Sequence, residues 1–185
     1  MGAGNLERRI GKREAFRTLE EAAMLGLVRT TDRVQGRVAR LLREHGLTPA
    51  QYNVLRILRG EGRPTPILEI AQRMLTETPG ITGLIDRLEK LELVQRRRCE
   101  TDRRVVFVAI EPKAEAILAG LDQPIEELRR GMFSHLGDAN LRVLVRLLNK
   151  VREPLEETPG DQPAKKKAEN HDESESGTEL EGGVQ

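Results

Sequence analysis

From Lys12 to Glu44 the chain contains no proline, and Phe16, Leu19, Ala23, Leu27, Val34, Val38 and Leu41 recur at three-, four- and seven-residue steps. That spacing predicts one apolar face on a helix of roughly 33 residues, about 50 Å long at 1.5 Å per residue. Such a face is longer than a small core can cover, which points to packing against another chain. His45-Gly46 ends the run with a residue free to take a positive φ. Leu47-Thr48-Pro49-Ala50-Gln51-Tyr52 then reads as a helix start: Thr48 caps, Pro49 takes the first helical position and Gln51 completes a capping box. Val54, Leu55 and Leu58 carry its apolar side as far as Gly60-Glu61-Gly62.

Two further starts follow. Thr65-Pro66 precedes Ile67, Ile70, Ala71 and Met74, and Thr78-Pro79 precedes Ile81, Leu84, Ile85, Leu88 and Leu91, all at helical spacing. Three short helices joined by tight turns predict a helix-turn-helix. The period then changes: Leu93-Val94-Gln95-Arg96-Arg97-Arg98 and Val105-Val106-Phe107-Val108-Ala109-Ile110 flank a polar tip and predict a two-stranded hairpin. Pro112 closes it. Ala114, Ile117, Leu118, Leu121, Ile125, Leu128 and Met132 mark another long helix. Asp138 is the expected cap of a last one, with Leu141, Leu144, Val145, Leu148, Val151 and Leu155 on its apolar side.

The expected fold is mainly α with a small β-hairpin wing: a winged helix-turn-helix over residues 47–110, flanked by long dimerisation helices in 12–46 and 111–156. Residues 1–11 are expected to be flexible. Residues 157–185 are rich in Pro, Gly, Lys, Glu and Ser, have almost no large apolar residues and are expected to be a disordered acidic tail.

Charge sharpens this picture. The 185 residues carry a formal net charge of +1, but 1–156 hold 28 Lys+Arg against 22 Asp+Glu, whereas 157–185 hold 3 against 8. The body is therefore at +6 and the tail at −5, a distribution that suits a polyanionic partner for the body. Five arginines fall within Arg96–Arg104 at the hairpin tip. Arginine there suits phosphates and the negative potential of a narrow minor groove.

Other classes fare less well. Cys99 is the sole cysteine, which rules out an intrachain disulfide and a cysteine-rich zinc site; no metal or cofactor is expected. Arginines around Cys99 are expected to favour its thiolate, although its wing position argues for a structural thiol. His45 and His135 read as surface or cap residues. No Gly-x-Ser-x-Gly, His-Glu-x-x-His or phosphate-loop sequence occurs, so an enzyme is not expected. An aromatic content of 2% disfavours single-strand and RNA readers that stack bases. No uncharged run approaches the roughly 18 residues of a membrane span. The N-terminus lacks an apolar signal core and has Leu6 where a myristoylation signal carries Ser or Thr, so the expected location is cytoplasmic.

The segment Leu84-Ile85-Asp86-Arg87-Leu88-Glu89-Lys90-Leu91-Glu92-Leu93-Val94-Gln95-Arg96, followed by Thr101-Asp102-Arg103-Arg104, resembles the MarR family of bacterial transcriptional regulators. Leu47-Thr48-Pro49-Ala50-Gln51 is similar to that family's second helix, and Pro79-Gly80-Ile81-Thr82 to the start of its recognition helix; the likeness spans roughly residues 12–156. The resemblance implies a homodimer binding near-palindromic double-stranded operators, commonly as a repressor released by a small ligand or an oxidant. One sequence does not identify an effector.

Residue by residue, the resemblance implies DNA contact at Thr78, Pro79, Gly80, Thr82 and Arg87 along the recognition helix, and at Arg104 in the minor groove, with Asp102 bracing the hairpin. The charge argument adds Arg96, Arg98 and Arg103. Gly83 belongs to the same surface, but stands where many members carry a larger polar or basic residue. Glu92 replaces a common helix-ending glycine, at a cost of about 1 kcal/mol if φ is positive there. Ile110-Glu111-Pro112-Lys113-Ala114 replaces the usual Leu-Thr-x-x-Gly before the next helix. The competing function is a winged helix used only for protein contact, without sequence-specific DNA binding.

Overall fold

The computed structural model describes residues 15–76 and 79–156, together with Arg8 and Gly11. Most of the expected flexible N-terminus, Thr78 and the acidic tail 157–185 lie outside the described residues. The described elements are helices α1 (Leu19–Glu44), α2 (Pro49–Glu61), α3 (Ile67–Gln72), α4 (Ile81–Lys90), α5 (Pro112–Phe133) and α6 (Gly137–Glu156), with strands β1 (Thr65–Pro66), β2 (Val94–Arg98) and β3 (Val106–Ile110).

Helix α1 is shorter than its apolar periodicity predicts. It starts at Leu19, not near Lys12, because Thr18 leaves helical geometry and caps: its hydroxyl accepts from the Glu21 amide at 3.2 Å, while the Glu21 carboxylate accepts from the Arg17 amide at 2.8 Å. Only Leu42 of this helix is buried, with Val38 and Leu41 packed beside it. The helix closes as the His45-Gly46 pair predicts. Gly46 has φ 72°, its amide donates to the Arg43 carbonyl, and the Leu47 amide donates to the Leu42 carbonyl, both at 3.0 Å. These are the two bonds of a Schellman close. Thr48 and Gln51 form the expected reciprocal capping box at 2.9 and 3.3 Å.

Thr65-Pro66 corrects a second expectation. The pair forms not the first turn of a helix but a short strand, β1, which extends the wing to three antiparallel strands in the order β1-β3-β2. Thr65 is fully buried opposite Val108, and its hydroxyl donates to the Arg63 carbonyl at 3.0 Å. A buried hydroxyl needs that partner. Asp138 corrects a third: it lies in the first turn of α6 rather than at its cap.

The core joins Leu42 and Leu47, Val54, Leu55 and Leu58 of α2, Ile70 of α3, Leu84, Ile85 and Leu88 of α4, Leu93 with Val94 and Val108 of the sheet, and Ala114, Leu118, Leu121 and Ile125 of α5. Helix α5 runs on through Pro124 to a 3-10 turn at Ser134–Leu136. Helix α6 belongs to a compact unit of its own, buries none of its residues and leaves Val143, Val145, Leu147, Leu148, Val151 and Leu155 exposed.

The end of α4 repeats the closing device of α1 with a different residue. The Leu93 amide donates to the Leu88 carbonyl at 3.0 Å and the Glu92 amide to the Glu89 carbonyl at 2.9 Å. Glu92 therefore sits at φ 59°, the single non-glycine with positive φ among the described residues. Its Cβ crowds the backbone where glycine would not, and its carboxylate meets only the exposed Lys113 ammonium at 3.3 Å. Glu92→Gly is expected to stabilise the fold by about 1 kcal/mol, raising the melting midpoint by roughly 2–4 °C. Urea and thermal unfolding would measure this, and a loss of stability would contradict it.

Candidate nucleic-acid interface

Helix α4 turns one side into the core and the other outward. Leu84, Ile85 and Leu88 are buried, whereas Thr82 and Arg87 are exposed. Pro79 and Gly80 lead in as exposed residues, and Gly80 takes φ 78° and ψ 42°, a left-handed conformation that glycine adopts without steric cost. Gly83 lies half-buried on the helix, and a Cβ there would meet open space, so nothing in this chain's packing requires glycine. Turn and helix are held in register by Asn53 of α2, whose Oδ1 accepts from the Leu75 amide at 2.9 Å.

The wing begins immediately after α4. Strand β2 pairs with β3 so that Arg96 stands opposite Val108 and Arg98 opposite Val106, while Gln95 and Arg97, opposite Ala109 and Phe107, take the other face. The tip is a closed turn. The Cys99 amide donates to the Val105 carbonyl and the Val105 amide to the Asp102 carbonyl, both at 3.0 Å. The Asp102 carboxylate accepts from the Arg104 amide at 2.9 Å. That side-chain bond substitutes for a backbone turn bond and holds the tip in shape. Arg103 and Arg104 project from it, both exposed.

The five wing arginines divide into three groups. Arg96 is engaged: its Nε and Nη2 donate to Glu89 Oε2 at 2.9 and 2.7 Å, and its Nη1 lies 2.5 Å from Asp86 Oδ1. Its main-chain amide donates to Glu89 Oε1 at 3.1 Å. Arg97 is steered by a neutral partner, donating through Nε and Nη2 to Gln95 Oε1 at 3.1 and 2.8 Å. Among the described residues, Arg98, Arg103 and Arg104, with Arg87 of α4, have no carboxylate within ion-pair reach. The pairing of Arg96 with α4 was not readable in the sequence, because Glu89 and Asp86 are also spaced like ordinary solvated helix acids.

The surrounding scaffold is clamped by similar bonds. Arg59 of α2 grips Asp122 of α5 through two hydrogen bonds of 3.0 and 2.6 Å. Arg73 pairs with Glu61, and Arg63 reaches Glu61 and Glu69 at 3.1 and 3.0 Å. Hydrogen bonds from Arg96, Arg59 and Arg73 hold the Glu89, Asp122 and Glu61 carboxyls, respectively, below their ordinary range. The half-buried Cys99 thiol is also lowered, first by a 3.2 Å hydrogen bond with Thr101 and then by backbone amides at Asp102 and Thr101. Hydrogen bonding, not the flanking arginines, is the cause. The His45 ring Nδ1 lies 3.2 Å from the Leu41 carbonyl, at the end of α1. Among the described residues no group of three metal-ligating side chains converges, and no helix is long and apolar enough to cross a membrane.

A short three-helix body with a cationic three-stranded wing defines a winged-helix DNA-binding regulator. Residues 47–106 match the MarR family model. The HTH-type transcriptional regulator MhqR of Bacillus subtilis is 30% identical over 110 residues, covering 60% of this chain and 75% of MhqR. A MarR transcription factor structure from Planctomyces limnophilus is 36% identical, covers 72% of this chain and 98% of its own, and superposes with a TM-score of 0.58. The S. aureus MepR–DNA complex shares the fold, with 16% identity, 69% and 94% coverage and a TM-score of 0.63. This chain belongs to the MarR family of transcriptional regulators, which are DNA-binding proteins and not enzymes.

The lowered carboxyls set a pH dependence. A carboxyl whose folded pKa lies below its unfolded value contributes stability that is complete above the unfolded pKa and is lost as pH falls through the folded one. The thermal midpoint should therefore hold steady near neutrality with respect to these groups and drop below about pH 4, under the usual carboxylate range. Glu89→Gln should make that drop shallower. A drop of unchanged depth would show that Glu89 contributes nothing to it.

Proposed function

We propose that this chain binds near-palindromic double-stranded operator DNA as a homodimer. Helix α4 enters the major groove and the wing tip reaches the adjacent minor groove. The regulator acts as a repressor released by a small ligand or another signal. The observation that carries the reading is the set of arginines that have no carboxylate partner among the described residues: Arg87 on the outer side of α4, then Arg98, Arg103 and Arg104 on the wing. Exposed guanidinium groups with no internal partner are available to phosphates, where each displaces condensed counterions. Thr82 and Arg87 face outward from the helix that would read base edges, with Pro79, Gly80 and Gly83 allowing close approach at its start. Thr78 lies outside the described residues and is included among the proposed contacts on its resemblance alone. Asp102 supports the tip without touching DNA. MepR, a protein of the same fold, has been seen bound to DNA, which favours this use of the fold over a protein-only module.

Dimerisation is supported by apolar surface that each unit leaves uncovered. Leu19, Met24, Leu27 and Val28 of α1 are 85, 60, 43 and 61% exposed, and α6 exposes a stripe of its own. Apolar patches of this kind mark association sites, and a two-fold interface uses the same patch twice. The proposed dimerisation regions are 12–46 and 111–156, with 47–110 as the DNA-binding part.

Two measurements test these statements. Light scattering on the full chain at micromolar concentration should give twice the chain mass; a monomer would overturn the dimer and with it the paired half-sites about one helical turn apart. Wild type and Arg104→Ala would be titrated against one selected operator over a range of salt. Arg104→Ala should bind more weakly, with a slope of log K against log salt shallower by about 0.9 for the lost cationic contact. Thr82→Ala and Arg87→Ala should instead redistribute preference among operator sequences by about 1–3 kcal/mol per affected base pair. Equal affinity and slope for Arg104→Ala would remove the wing from the interface.

A further inference from the structure

We infer that Arg96 is not a DNA contact but a positioning residue: it locks the wing to the recognition helix and cancels carboxylates that would otherwise face the nucleic acid. The inference rests on the reading of α4 and the wing as the DNA-binding surface, and it assigns Arg96 a role different from that of its wing neighbours.

Asp86 and Glu89 are three residues apart on α4, so they stand on one side of the helix. Strand β2 places Arg96 against that side, and the guanidinium closes on both carboxylates through Nε, Nη1 and Nη2. The Arg96 amide reaches Glu89 as well, so side chain and backbone of one residue are both tied to α4. The Arg96 side chain is 27% exposed, whereas its two partners are 44 and 37% exposed. All three guanidinium nitrogens already face a carboxylate, so only two of the five N–H donors are left for another acceptor and the positive charge is offset by its two partners. The planar fork suits two acceptors at once, which a lysine ammonium on a flexible stem would not reproduce.

The charge arithmetic adds to the geometry. Arg96 with Asp86 and Glu89 sums to −1, and without Arg96 the same site holds −2 on the helix meant to enter a groove. Arg87, one residue from Asp86, and Lys90 are both exposed on α4 with no carboxylate partner among the described residues. The angle between reading helix and wing decides whether both reach their grooves in register, and the bracket across Asp86, Glu89 and Arg96 is a direct side-chain tie between them.

The test uses the full chain, an operator duplex selected from random-sequence DNA, and a scrambled duplex of equal length, each titrated over a range of salt. Arg96→Met should lower affinity for both duplexes and cut the operator-to-scrambled ratio about tenfold, on the scale of residues coupled in one salt-bridge network. In Arg96→Met/Asp86→Asn/Glu89→Gln the salt slope should return to the wild-type value, because no phosphate contact was lost. The operator-to-scrambled ratio should stay low, because the bracket is gone. A slope shallower by about 0.9 in that triple variant would make Arg96 a phosphate contact and overturn the inference. An unchanged ratio would overturn it too. If Arg96→Met does not fold, Asp86→Asn/Glu89→Gln with Arg96 intact serves instead: the ratio should fall about tenfold while binding to the scrambled duplex is kept, and an unaltered ratio would overturn the inference. Arg104→Ala in the same titrations separates the two failures, since only the interface reading predicts its shallower slope.

Discussion

The burial of one side of α4 governs everything this surface presents. Leu84, Ile85 and Leu88 are 3, 0 and 0% exposed. Each such side chain contributes about 1.5–3 kcal/mol on removal from water, so a rotation of the helix about its axis would forfeit several kcal/mol at once. A helix advances about 100° per residue, so fixing these three positions also fixes the others. Thr82 and Arg87 must point out, and Asp86 and Glu89 must lie toward β2. The apolar pattern thus does two jobs: it closes the core, and it selects which polar residues of α4 face outward.

Charge is then sorted by partner rather than by sign. The wing carries five arginines in nine residues, and the sequence alone makes them look equivalent. The fold separates them. Arg96 is held by two carboxylates, Arg97 is oriented by a neutral amide, and Arg98, Arg103 and Arg104 remain unpaired among the described residues. An exposed ion pair adds little to stability, commonly under 1 kcal/mol. Its weight lies in geometry: the bidentate Arg96 bracket and the Arg59–Asp122 clamp fix angles between elements already joined by apolar packing.

Local signals were legible and distant partners were not. The Thr48–Gln51 capping box, the Gly46 close, the hairpin and the apolar faces of α2, α4 and α5 all depend on residues within a few positions of each other, and the structure contains them as read. Thr18 and Glu21 were equally local but were hidden beneath a periodicity that ran on past them. The pairing of Thr65-Pro66 with Val108 and Phe107 spans more than forty residues of chain and cannot be seen from the dipeptide, whose threonine and proline read as well for a helix start. For the candidate site, the sequence located α4 and the wing, while the division of labour among the arginines needed the pairing of β2 with α4. Glu92 is intermediate. The sequence raised the question of a positive φ, and the two amide bonds from Glu92 and Leu93 answered it.

The joint between α1 and α2 shows how little slack the scaffold leaves between its apolar arm and its reading head. Helix α1 ends at Glu44 and α2 begins at Pro49, and the residues between are fixed by named bonds: Gly46 and Leu47 close the first helix, and Thr48 caps the second. Leu47 is at once the last partner of α1 and the residue before the cap of α2, and it is buried in the core at 3% exposure. Consecutive closing and capping bonds leave this joint little conformational freedom. The first turns of α1, where Leu19, Met24 and Val28 stand exposed, have no such restraint from the core. Leu42 and Leu47 share one core with Val54, Leu55 and Leu58 of α2 and with Leu84, Ile85 and Leu88 of α4, so the close of α1 is packed into the same body as the helix that carries Thr82 and Arg87.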